Sequence, residues 1–140
     1  MNLAYLPYQP RLAALNHLHA VNAVRMRIEQ HYGPSASWQS ERSLRSERGF
    51  APKNIRQPHL PDGVLTLDSG QDAQCIAIEV ELSLKAPDRL ATILHALSTH
   101  YPAVWYFASP QTMRGLERAL VALDPQLRRV MRLYPFDEQA

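Results

Sequence analysis

Pro61-Asp62-Gly63-Val64-Leu65-Thr66-Leu67, followed after a short polar loop by Cys75-Ile76-Ala77-Ile78-Glu79-Val80-Glu81-Leu82-Ser83-Leu84-Lys85, decides how this chain folds. Successive side chains of a strand point to opposite faces. Ile76, Ile78, Val80, Leu82 and Leu84 therefore share one apolar face, and Cys75, Ala77, Glu79, Glu81, Ser83 and Lys85 share the other. Asp68-Ser69-Gly70-Gln71-Asp72 is a turn cluster, so 64–67 and 75–83 are expected to pair as a hairpin. The hairpin sets Asp62, Glu79 and Glu81 on neighbouring strands. Carboxylates side by side repel unless a cation or a proton lies between them. The row is therefore a candidate divalent-metal site. Lys85 has the right parity, but an extended strand would put it about 13 Å past Glu81. Only a bulge would return it.

Outward from the hairpin, helical and extended patterns alternate. Leu12, Leu15, Leu18, Val21, Val24, Ile28 and Tyr32 recur three or four apart, which predicts a helix from about Arg11, stopped by Gly33-Pro34. Trp38 to Leu44 reads as a short strand and residues 45–60 as an irregular connection. Beyond the hairpin, Ala86-Pro87-Asp88 opens a helix whose stripe is Leu90, Ile93, Leu94, Leu97 and Tyr101. Ala103 to Ala108 is a buried strand, expected to run parallel to 75–83. Ser109-Pro110 opens a further helix with Met113, Leu116, Leu120 and Leu123 inward, and Leu127 to Leu133 reads as a last strand. Residues 1–10 are expected as an irregular arm and 135–140 as a tail. One sheet flanked by helices, an α/β domain spanning 1–140, follows.

Composition narrows the class. The chain has 140 residues, 46% hydrophobic and 20% charged, as an ordinary globular domain does. Cys75 is the sole cysteine, so no intrachain disulfide can form, and a reducing, cytoplasmic setting is expected. The longest apolar run, Ala103 to Ala108, is far short of the about 20 residues that span a membrane. Residues 1–60 carry eight Arg and Lys against three Glu, and residues 61–140 carry seven against ten acids. Arg42, Arg45, Arg48, Lys53 and Arg56 concentrate the basic excess, as either a phosphate-contacting patch or a solvated loop.

The element order and the acids together resemble the PD-(D/E)XK nuclease superfamily, whose core runs helix, three strands, helix, strand. Pro61-Asp62 matches the first half of its motif. Glu79-Val80-Glu81 occupies the second half, with Glu81 where the superfamily has lysine. Within the superfamily the chain looks most like the replication-relaxation proteins of plasmids and other mobile elements. The residues that carry this are His19-Ala20-Val21-Asn22 with Arg25, Trp38 with Glu41-Arg42, Pro61-Asp62 and Ile78-Glu79-Val80-Glu81. The likeness runs over roughly residues 15–123. Members of that family often carry a DNA-binding winged helix ahead of this region, and this chain is expected to lack one.

The resemblance implies a restriction-endonuclease-like αβββαβ core, DNA as partner, and other replication or mobilisation proteins as associates, with room for a homodimer. It implies Mg²⁺ or Mn²⁺ held by Asp62 and Glu79, serving phosphodiester hydrolysis. Glu81 becomes a third ligand or a general base, Glu41 a further ligand, and Lys85 a helper. Arg42, Arg45, Arg48, Lys53 and Arg56 become DNA contacts. The alternative is a non-catalytic DNA-binding or scaffold module on the same fold.

Each residue also has a plainer reading. Asp62 before Gly63 is good turn chemistry, and Glu79 with Glu81 would also suit a solvated face. Glu41 would equally pair with Arg45, and Glu29 has a similar double reading. His17 and His19, two apart on a helix, cannot share a metal and read as surface or partly buried polar residues. Trp38, Trp105 and Tyr106 read as core, and Cys75 as a small buried residue.

Overall fold

The computed structural model describes residues 12–49, 59–68 and 73–137. These form α1 (Leu12–Tyr32), β1 (Ala36–Ser40), α2 (Glu41–Arg48), β2 (Gly63–Asp68), β3 (Ala73–Glu81), α3 (Pro87–His100), β4 (Ala103–Ala108), α4 (Pro110–Ala122), a short α5 (Pro125–Arg128) and β5 (Met131–Pro135). The strands make one sheet in the order β1-β2-β3-β4-β5. β1–β2 and β2–β3 pair antiparallel, while β3–β4 and β4–β5 pair parallel. The protein is thus α/β, with a single mixed sheet flanked by helices. Among the described residues no helix is long and apolar enough to cross a membrane.

The parity of β3 builds two cores at once. Ile76, Ile78 and Val80, with Leu65 of β2, pack under Ala20, Val21, Val24 and Ile28 of α1. Ala77, with Val104, Tyr106 and Ala108 of β4, packs under Leu90, Ile93, Leu94 and Leu97 of α3 and Leu116 of α4. The acid-bearing face of β3 is therefore a second buried face and not a solvated one. Burying a large aliphatic side chain contributes about 1.5–3 kcal/mol, and α3 buries four at its expected stripe.

Several expectations change. The N-terminal part of the α1 stripe is not buried: Leu12, Leu15 and Leu18 are exposed, and burial begins at Ala20. The strand expected over 38–44 ends at Ser40, whose hydroxyl accepts the Ser43 N–H and so caps α2. α2 reaches Arg48 inside the stretch expected to be irregular, and Gly49 follows it at φ 72°, a backbone angle that favours glycine. β3 stops at Glu81, with Leu82 and Ser83 in a bend. The last strand starts at Met131, because Pro125–Arg128 forms a helical turn first. Gly63 lies against the Trp38 ring, where a Cβ would stand 2.1 Å from a ring carbon. This close approach seats β1 on β2 immediately beside Asp62.

Candidate functional site

Asp62 stands one residue before β2, where the antiparallel register that pairs Gly63 with Ile78 runs on to meet Glu79. The Asp62 backbone N–H donates to Glu79 Oε1 at 3.1 Å, and the Val80 N–H donates to Asp62 Oδ2 at 2.8 Å. The hairpin thus locks the two carboxylates together as expected. Glu79 and Glu81 are only 2% and 3% exposed. Parallel pairing sets Tyr106 beside Glu79 and the small Ala108 beside Glu81.

The three acids solve their mutual repulsion in three ways. Asp62 Oδ2 accepts from His17 Nε2 at 3.2 Å. The same nitrogen lies 3.2 Å from the Val80 carbonyl oxygen, which can only accept, so Nε2 carries a proton. The hydrogen bond to Asp62, reinforced by the Asp62 and Glu79 charges, raises the His17 pKa against the opposing effect of burial. Glu81 takes Lys85, whose Nζ donates to Oε1 at 2.6 Å and also reaches Oε2. Glu79 keeps a proton more readily than an ordinary glutamate. Burial pushes its pKa well up, the Asp62 charge adds to this, and Lys85 opposes it. His59 Nε2 lies 3.2 Å from Glu79 Oε1. Burial and the Lys85 charge lower the His59 pKa, so this contact joins two groups that both favour their neutral forms.

Lys85 reaches Glu81 because the chain does not stay extended. The bend at Leu82-Ser83 turns the segment back, and α4 holds it there. The Glu81 carbonyl accepts from the Ser109 N–H at 3.1 Å and from the buried Thr112 hydroxyl at 3.0 Å. The Ser109 hydroxyl donates to the Leu82 carbonyl at 3.2 Å, so its side chain fastens the bend and does not cap α4. Leu84 then sits on Gly115, where a Cβ would meet Leu84 Cδ1 at 2.4 Å. The about 13 Å gap of an extended strand is replaced by direct contact.

These groups line a cleft of about 520 Å³ that includes His17, Glu41, His59, Asp62, Glu79 and Lys85. Asp62 Oδ2 and Glu79 Oε1 make the bonds above, which leaves Asp62 Oδ1 and Glu79 Oε2 outside them. The Tyr106 hydroxyl is buried without a hydrogen-bond partner among the described residues. Burial and then the Glu79, Glu81 and Asp62 charges raise its pKa well above 10, so it stays a donor. As placed, no three His, Cys, Asp or Glu among the described residues are close enough together to hold an ion. Tyr106 belongs to the core under α3 and not to the cleft lining, so it is the buried carboxylate Glu79, driven toward its protonated form, that marks the cleft as incompletely matched in charge.

The other expected site residues divide. Glu41 lines the cleft from the first turn of α2, not from a strand, and its Oε1 pairs with Arg45. Arg42 and Arg45 line an adjoining cleft, and Arg48 ends α2. Lys53 and Arg56 lie outside the described residues. His17 and His59 join the site although the sequence did not single them out. His59 lies in the irregular segment just before Asp62, where no periodicity points its side chain. His17, expected as a surface or partly buried polar residue, is half-buried, but nothing in the sequence marked it for the site, because only the packing of α1 aims it at Asp62. Cys75 is half-buried, and burial raises its thiol pKa. No protein-family model, no curated protein and no solved structure matches this chain.

Proposed function

We propose that the protein acts on DNA in the replication or transfer of a mobile element, in the cytoplasm, by divalent-metal-dependent phosphodiester hydrolysis on a restriction-endonuclease-like core. One observation carries the reading: Asp62, Glu79, Glu81 and Lys85 converge on one cleft although they are spread over 24 residues of chain. Mg²⁺ or Mn²⁺ would be held through Asp62 and Glu79, whose raised proton affinity a cation would relieve, and Glu81 would join as a third oxygen donor only on releasing Lys85. When bound, the ion supplies Lewis acidity toward a phosphoryl oxygen and an acidified water. Lys85 sets an ammonium where negative charge develops on the phosphoryl oxygens. Neutral His59, with Nε2 donating to Glu79, keeps an Nδ1 lone pair to take a proton from the attacking water. His17 holds Asp62 in place.

A plasmid-nicking assay with Mn²⁺ and Mg²⁺ tests this. Wild-type protein is expected to nick, and Asp62→Asn, Glu79→Gln and Lys85→Met are expected to lose about 10²-fold or more of the rate. Nicking that survives Glu79→Gln refutes the assignment. The absence of a three-ligand cluster among the described residues favours a second reading, a non-catalytic DNA-binding module. Salt-sensitive DNA binding without any nicking would establish that second reading.

A further inference from the structure

Beside the acidic cleft lies a second one of about 720 Å³. Leu18, Val21 and Arg25 line it from α1, Arg42 and Arg45 from α2, and Trp38 from β1. The two clefts share His17, Glu41 and Asp62, so they adjoin. Arg25 is held by Glu29 at 2.8 Å and lies 5.9 Å from the Trp38 ring centre. Arg45 is held by Glu41. Arg42 is exposed and has no ion-pair partner among the described residues. Arg25 and Arg45 thus each have a carboxylate of their own, Asp62 is engaged by His17, and Arg42 is the cleft's guanidinium left to meet an incoming anion.

Guanidinium forks recognise phosphate. A surface that only tracked a duplex backbone would have no use for the apolar wall, and Leu18 keeps 57% of its surface exposed there. An apolar wall next to cations suits a unit with a flat base and a charged phosphate. The cleft is also of the size that encloses a small ligand, about 300–1,000 Å³.

We infer that the arginine-lined cleft binds one unpaired nucleotide of a DNA strand, next to the phosphodiester presented to Asp62 and Glu79, so that the substrate is single-stranded at this position. This rests on the hydrolytic reading for the neighbouring cleft but not on turnover.

Fluorescence anisotropy with labelled single-stranded and duplex DNA 12-mers, in EDTA and over a salt series, tests it. The single strand is expected to bind at least about tenfold tighter than the duplex. Arg42→Gln is expected to weaken single-strand binding severalfold and flatten the salt slope by about 0.7, the loss of one phosphate contact. Leu18→Ser is expected to weaken it while leaving the slope unchanged, because it removes apolar wall and no charge. Both residues are exposed, so both variants should fold. Duplex binding as tight as single-strand binding, or wild-type binding by either variant, overturns the inference. A protein that never nicks but shows this pattern keeps the inference and loses the hydrolytic reading. A protein that nicks but prefers duplex does the reverse.

Discussion

At the scale of residues, the three clustered acids are matched differently: an imidazole on Asp62, an ammonium on Glu81 and a raised affinity for a proton on Glu79. The last has a measurable consequence for the metal-free protein. The folded-state pKa of Glu79 lies above its ordinary value of 4.5, so the folded state binds the proton more tightly than the unfolded chain does. The contribution of Glu79 to stability is fully present below about pH 4.5 and is lost as pH rises toward its folded value. Glu79→Gln should therefore raise the melting temperature of metal-free protein at pH 7.5 and leave it nearly unchanged at pH 4. About 1 kcal/mol of relief would appear as roughly 3–5 °C in a domain of this size. Thermal melts at the two pH values check this, and equal shifts at both would remove the buried-proton account. Added Mn²⁺ should stabilise the wild type and not the Gln variant, since only the carboxylate gains from a cation.

At the scale of elements, the segment from Leu82 to Ala86 is a hook whose shape belongs to α4. Ser109 and Thr112 hold the Glu81 and Leu82 carbonyls, and Gly115 makes room for Leu84. Gly115→Ala separates stability from function. Alanine in a helix interior is favoured over glycine by about 1 kcal/mol. The new methyl would collide with the tip of Leu84, which is 52% exposed and free to swing out. The variant is expected to be as stable as the wild type, or more so, while nicking falls because Lys85 moves off Glu81. Adding Leu84→Ala should restore part of the activity by reopening the space. Urea melts alongside nicking rates check this, and undiminished nicking in Gly115→Ala would show that α4 does not set the lysine.

At the scale of the molecule, β3 is the shared wall of two cores, so the site is built on the most buried element of the sheet. Leu94 of α3, fully buried, packs on the acid-bearing side of the sheet. Leu94→Ala should cost about 2–5 kcal/mol by denaturant unfolding, with fluorescence and circular dichroism reporting one common transition. Two transitions would mean that the layers on the two faces of the sheet melt separately. The sequence by itself determined the hairpin, the parallel β3–α3–β4 unit, the apolar stripes of α3 and α4 and the pairing of Asp62 with Glu79. All of these follow from local periodicity and turn chemistry, which a short window of residues contains. Only the tertiary structure decided that the acid face is buried, that His17 and His59 join it and that Tyr106 ends there without a partner. It also decided the row that opened the reading, because packing against α4, and not strand geometry, ends β3 at Glu81 and turns Lys85 back onto it.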